Sequence, residues 1–251
     1  MTDAPQNAPV AATRRRPSDV LFGVVGVVGE LLITLGVVLG LFVVWQLWWT
    51  DVQAARAQEQ IVAGLDWPRP SSADAPVAGL RTGPPPTLDE PTQDGDTIAL
   101  LSVPRWDGQD AVTVRQGVDR PTILDTGSGG HYPGTAMPGG IGNFAVAGHR
   151  TTYGKPFNRI AELEPGDALV VRTADLWFVY RVTEHHIVLP EQVDVVAPVP
   201  GEPGAAPERA TITLTACHPM FSARERYIVH GELEGWMPVA DGVPAALTEG
   251  A

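Results

Sequence analysis

Thr211-Ile212-Thr213-Leu214-Thr215-Ala216-Cys217-His218-Pro219, followed by Arg224-Glu225-Arg226-Tyr227-Ile228-Val229-His230, is the stretch on which the reading of this chain turns. It holds the only cysteine among 251 residues. The first run alternates β-branched with apolar residues, the pattern of a strand that lays one face on a core. Side chains two apart share a face, so Thr211, Thr213 and Thr215 stand with Cys217 while Ile212, Leu214 and Ala216 point to the interior. A thiol is thereby expected on a polar face at a strand end. Arg226 opens a second β-type run close enough in sequence for a hairpin that sets its guanidinium near the thiol. Arg224, two residues away on the same face, competes for that place.

A second run, Asn143 to His149, ends in the same way: Ala145 and Ala147 share a face with His149, and Phe144 and Val146 point the other way. A lone cysteine closes no intrachain disulfide, which leaves an inert buried residue, an intermolecular link or a nucleophile. The polar face and strand-end position favour the nucleophile. Free thiols titrate near about 8.5 and imidazoles near about 6.5, so bringing one to the other raises the fraction held as a thiolate–imidazolium pair. Imidazolium can then protonate a leaving amine, and a permanently charged guanidinium can hold a substrate carbonyl and the oxyanion that develops from it.

Around these runs the chain from about Asp96 reads as short β segments separated by glycine, proline and asparagine. Eight candidate strands are expected at 97–103, 111–118, 143–149, 168–172, 177–182, 186–189, 210–217 and 226–233, with helical turns at 120–124 and 157–163. Short strands at this spacing suit a barrel or a sandwich.

The 44% hydrophobic content is concentrated near the N-terminus. Val20 to Trp49 carries Glu30 as its only charge, and Leu31 to Trp49 carries none, which is enough helix to cross a hydrocarbon core of about 30 Å. A cleaved signal peptide, for which Ala55-Arg56-Ala57 offers small residues, has an apolar region only about half as long. Arg14, Arg15 and Arg16 precede the span and Asp51 follows it, so the N-terminus is expected in the cytoplasm and the body outside, with Trp45, Trp48 and Trp49 at the outer interface. The formal charge of −12 belongs entirely to residues 51–251, which hold 26 acids and 14 bases. Such a body is unsuited to nucleic acid.

The expected organisation is a disordered cytoplasmic tail (1–19), a transmembrane helix (20–50), a Pro-rich linker (51–95), a catalytic domain (96–239) and a flexible tail (240–251). Within the linker the Ala, Gln, Glu and Arg content from Asp51 to about Ile61 suggests that the span's helix runs on for two or three turns, and the prolines between Pro68 and Pro91 suggest a spacer that forms no core.

Thr213-Leu214-Thr215-Ala216-Cys217 resembles the T-L-x-T-C signature of sortases, with Ala216 where threonine is usual. Ala147-Gly148-His149-Arg150 resembles their histidine motif, and Arg226-Tyr227-Ile228-Val229 their arginine strand. His131-Tyr132-Pro133-Gly134, Gly148-His149-Arg150-Thr151-Thr152, Cys217-His218-Pro219 and a span ending in Trp48-Trp49-Thr50-Asp51 are similar to class E members from actinobacteria. The resemblance covers about residues 96–238. It implies a mainly β fold, an eight-stranded barrel with short helices behind one membrane helix.

In function, the resemblance implies a membrane-anchored cysteine transpeptidase that cuts an LAXTG- or LPXTG-like sorting signal between Thr and Gly. Cys217 is then the nucleophile, His149 the acid and base, and Arg226 the oxyanion and substrate holder, with Tyr132 and Thr215 as further substrate contacts. The expected partners are secreted proteins bearing that signal and a peptidoglycan amine; no cofactor is expected. Alternatives are a pilus-assembling, class C-like enzyme, or a membrane-tethered barrel that only binds. Asp66-Trp67-Pro68 has the composition of a class C lid in the wrong order and is expected to be plain linker. His185 and His186 face opposite sides of a strand, His218 either tunes the thiol or caps its loop, and His230 is expected to pack, so no metal is expected.

Overall fold

A computed structural model describes residues 17–68 and 76–248. Most of the expected cytoplasmic tail, Arg14, Arg15 and Arg16, and the last residues of the C-terminal tail lie outside them. The chain divides into two compact units, the first ending at Gln46 and the second beginning at Leu47. One helix, α1 (Pro17–Ala63), runs for 47 residues, or about 70 Å at 1.5 Å per residue. In the first unit its described side chains are apolar apart from Glu30, Thr34 and Gln46, and the large apolar ones are exposed, Phe22, Leu31, Ile33 and Leu41 among them. A helix without a polar face belongs in a core or a bilayer. From Val25 on it is long and apolar enough to cross a membrane.

The second unit is built on a closed barrel. Its strands are β2 (Thr97–Ser102), β3 (Val112–Gln116), β4 (Gly129–His131), β5 (Gly142–Ala147), β6 (Ala168–Arg172), β7 (Leu176–Val188), β8 (Ala210–His218) and β9 (Glu225–Pro238). Two further short strands, β1 (Val77–Ala78) and β10 (Val243–Pro244), pair with each other in parallel outside the barrel. Around the barrel the order is β2-β3-β4-β5-β8-β9-β7-β6, and closure leaves no unpaired edge. β3–β4 and β5–β8 are parallel pairs; the other neighbours run antiparallel. Phe144 and Val146 from β5, Ile212, Leu214 and Ala216 from β8, and Tyr227 and Val229 from β9 share the interior with Leu101 and Phe178. The alternation in 211–217 is thus realised as expected.

The barrel has the expected eight strands, with a different membership. The runs at 177–182 and 186–189 are one strand, β7, whose pairing with β9 slips between Val182 and Glu184. The eighth is β4, where Gly129 and Gly130 carry no β signal. Glycine is required at 130 because a Cβ there would lie 2.6 Å from the Gly117 carbonyl oxygen.

The helix runs on past residue 50 as expected, but it and the proline-rich stretch after it are held on the barrel instead of forming a free spacer. Within the second unit, α1 continues to Ala63 and packs on the barrel. Ala54 is buried between Gly127 and Gly154, and Gln58 donates from Nε2 to the Thr126 carbonyl (3.0 Å) and Ser128 Oγ (2.9 Å). Its Oε1 accepts from Thr113 Oγ1 (2.7 Å), and Asp51 pairs with Lys155 (2.9 Å).

The proline-rich stretch from Pro76 to Gly95 is a strap. Beyond β1, Arg81 bridges Trp236 of β9, the Trp236 indole donates to the Gly83 carbonyl (2.8 Å), Leu88 packs on the core, and Glu90 accepts from Gln116 Nε2 (2.8 Å) and the Gly134 amide (3.0 Å). Proline forbids a helix or central strand there but suits an extended segment held by neighbours' donors. The expected flexible tail is likewise held as far as Thr248: β10 pairs with β1, and Ala246 is buried in a satellite cluster around Trp177 and Met237. Trp67 and Pro68 lie against Arg172, and Trp67 lines a groove with Pro86 and Leu88 rather than the groove that holds Cys217.

Candidate active site

β5 and β8 run side by side in the same direction, with Ala147 opposite Thr215. Their C-terminal ends therefore emerge at one rim of the barrel. The Gly148 amide donates to the Thr215 carbonyl (3.0 Å), carrying the ladder one step further, so His149 leaves β5 beside the end of β8. β9 returns antiparallel with Arg226 directly opposite Cys217. The register makes Arg226, and not Arg224, the residue across from the thiol; Arg224 precedes the strand.

His149, Cys217 and Arg226 line one groove of about 600 Å³, together with Tyr132, Thr215 and Phe221. Phe221, in the β8–β9 loop, is 75% exposed. Cys217 is half-buried and unpaired with sulfur. Gly148 in the histidine motif has a packing reason: a Cβ there would approach the Phe157 ring to 2.5 Å.

The imidazole is held in place. His149 Nε2 lies 2.7 Å from Asp125 Oδ1, and its ring stacks on Tyr153 at 5.3 Å. Because a carboxylate accepts, the neutral ring carries its proton on Nε2 and leaves the Nδ1 lone pair for chemistry. Asp125 comes from a short 3-10 turn, Leu124–Thr126. The helical turn expected at 120–124 falls just before it, where Asp119 Oδ1 accepts from the Thr122 amide (3.0 Å) and hydroxyl (2.7 Å). Nothing set Asp125 apart from the other acids, because its partner lies on another element.

The guanidinium of Arg226 donates from Nη1 to the carbonyls of Ala223 and Glu225, both at 2.9 Å. This tether leaves Nε and Nη2 without a hydrogen-bond partner among the described residues. Tyr132 Oη and Thr215 Oγ1 are 3.1 Å apart, which joins two of the expected substrate contacts. His131 beside it is wholly buried. Its Nδ1 donates to Gln116 Oε1 (2.8 Å), and burial pushes its pKa down.

The threonine face of β8 is polar but covered. Thr213 is buried, donates to Asn143 Oδ1 (2.7 Å) and meets His230 Nδ1 (2.8 Å). Asn143 in turn donates to the carbonyls of Val195 and Ala197 in the β7–β8 connection. Only Thr215 and Cys217 from this face reach the groove.

Arg150 is a participant that the sequence did not single out. It is buried, donates from Nη1 to His218 Nδ1 (2.7 Å) and the Cys217 carbonyl (3.4 Å), and lies over the Tyr227 ring. His218 thus serves as an acceptor that locks the end of β8.

A closed barrel with thiol, imidazole and guanidinium gathered at one rim by strand register defines a class of cysteine transpeptidases. The model of the sortase domain matches residues 101–234. The chain is 40% identical to Sortase SrtE1 of Streptomyces coelicolor over 88% of its own length and spans 60% of that protein. It is 39% identical to Sortase SrtE2 of the same organism, over 88% of this chain and 86% of that one. Among solved structures it is similar to the SrtA sortase from Actinomyces oris, at 42% identity and a TM-score of 0.64 over 67% of this chain and 96% of that one. Sortase E1 from S. coelicolor, solved with a tripeptide in its active site, matches at 40% identity and a TM-score of 0.57 over 61% and 97%. The chain belongs to the sortase family, in its class E.

Proposed function

We propose that this chain is a membrane-anchored transpeptidase that cuts an LAXTG- or LPXTG-like sorting signal between Thr and Gly and joins the new C-terminus to a peptidoglycan amine. The observation that carries the reading is the register that sets Cys217 across from Arg226, with His149 at the end of the neighbouring parallel strand. The Cys217 thiolate adds to the threonine carbonyl carbon, and the Arg226 N–H groups hold the resulting oxyanion. His149, as imidazolium, protonates the departing glycine nitrogen as the C–N bond breaks, leaving a thioester. The acceptor amine then attacks the thioester, His149 takes its proton, and the thiolate leaves. Asp125 positions the imidazole throughout. Tyr132 and Thr215 line the path of the signal peptide, a role consistent with the tripeptide in the active site of the S. coelicolor relative.

Anchoring follows from α1, with the N-terminus cytoplasmic and the barrel outside; the arginine run before the span and Asp51 after it support that orientation. The soluble acceptor for the test is an added amine. The full chain in detergent is expected to cleave an LAXTG peptide and to form the amine adduct, and Cys217→Ala is expected to abolish both. Cleavage that persists in Cys217→Ala would overturn the mechanism.

A further inference from the structure

Away from the groove, β7 and β9 bring together three side chains whose roles the transpeptidase chemistry does not use. Glu184 pairs in register with His230, and His186 follows two residues later on the same face. Their ligand atoms lie within 4.8 Å of one another, and the two imidazole rings are 5.2 Å apart. Glu184 is exposed, His186 half-buried and His230 buried. We propose that Glu184, His186 and His230 form a site for a divalent transition metal of the Zn²⁺ type, on the face of the barrel shared with Cys217 and about 13 Å from it along β8.

The hydrogen bonds behind His230 prepare it as a ligand. Asn143 spends its amide N–H groups on the Val195 and Ala197 carbonyls, so its Oδ1 faces Thr213 and accepts the threonine hydroxyl proton. Thr213 Oγ1 has one proton to give; with that proton on Asn143, it accepts from His230 Nδ1–H. The tautomer follows: Nε2 carries the lone pair. A metal-binding imidazole characteristically donates its other N–H to a fixed acceptor in this way.

The carboxylate of Glu184 and the ring of His186 have no hydrogen-bond or ion-pair partner among the described residues, so no arginine or lysine occupies the point on which the three converge.

Two imidazole nitrogens and one carboxylate oxygen suit Zn²⁺ and its neighbours and not Ca²⁺ or Mg²⁺, which take oxygen. Tetrahedral coordination at about 2.0–2.2 Å needs the donors closer than they stand, a movement that falls to the side chains of the exposed Glu184 and the half-buried His186, since His230 is fixed by Thr213. The fourth position is open to water. Sequence spacing hid the site because the second histidine comes from the neighbouring strand, not from His185.

The test uses the full, untagged chain in detergent, carrying Cys217→Ala so that the thiol contributes nothing, stripped with a chelator and titrated with Zn²⁺ alone at pH 7.5. One Zn²⁺ per chain with a micromolar or tighter Kd is expected, and His186→Ala and Glu184→Ala, both at accessible positions, should each weaken it at least tenfold. The same Zn²⁺ should raise the melting temperature of the parent but not of the His186→Ala chain. Absence of binding, or an affinity indifferent to both substitutions, overturns the proposal.

Discussion

Cys217 and Arg226 face each other across one step of an antiparallel ladder, and that step sets Arg226, not Arg224, opposite the thiol. Arg226→Ala is expected to lower turnover by about 10²–10³, the usual loss for one oxyanion donor, while Arg224→Ala leaves it within a few-fold. Steady-state rates with an LAXTG peptide settle the point, and the reverse ranking would move the oxyanion role to Arg224. In the proposed mechanism Asp125 acts through His149, whose Nε2 it holds at 2.7 Å. Asp125→Ala should lower kcat by about 10- to 100-fold with KM little changed, the loss of an aligned acid–base group, and Asp125→Glu should recover part of it. A fall confined to KM would assign Asp125 to substrate binding. The gathering of Cys217, His149 and Arg226 at one rim was legible because each sits at the end or start of a run whose alternation names its face. Asp125 and Arg150 were not, because their significance lies in partners 24 and 68 residues away. Ala216, the departure from the usual signature, belongs to the interior cluster and also borders the groove beside Thr215 and Cys217.

At the level of elements, the strap from Pro76 to Gly95 is the part that composition concealed. Proline and glycine content reads as a spacer, yet the strap's order comes from donors on β9, β3 and the loop after β4, none of which a local window contains. Gly235 tests it. A Cβ there would lie 2.8 Å from the Arg81 carbonyl and 2.9 Å from Leu80 Cβ, so Gly235→Val must push the strap off β9. A loss of about 1–3 kcal/mol in unfolding free energy is expected, with new protease cleavage between residues 77 and 95. An unchanged urea midpoint would mean that the strap contributes no stability. β7 was split in the sequence reading where Thr183, Glu184 and His185 break the alternation. In the fold the same break is a slip in register, which the barrel accommodates without ending the strand.

Across the whole molecule, acid should act first through two buried imidazoles, His131 under Tyr132 and His230 on the face between β7 and β9, both held below the ordinary imidazole value. His131 is buried and its pKa lies below the ordinary imidazole value, so the unfolded chain binds more protons as pH falls below about 6.5, and stability declines there. Glu90 is held below the ordinary carboxylate value by the Gly134 amide and Gln116. Its contribution is present above about pH 4.5 and is lost as pH falls further. Urea midpoints of the full chain in detergent should therefore be flat above pH 7, fall below 6.5 and fall more steeply below 4.5, and Glu90→Gln should flatten the lowest limb. A midpoint that rises from pH 7 to pH 5 would contradict this. The barrel, the apolar helix and the acidic body were readable from patterning and composition, whereas the distribution of buried protons was not, because it depends on which loops cover which strands. The parallel pairing of β5 and β8 has one more consequence. Histidine and cysteine are aligned by hydrogen-bond register between adjacent strands, so the chain joining them is free to change length. Extra residues in the exposed Pro200–Gly204 turn cost little closure entropy; a reporter peptide spliced there should leave the reacting pair aligned.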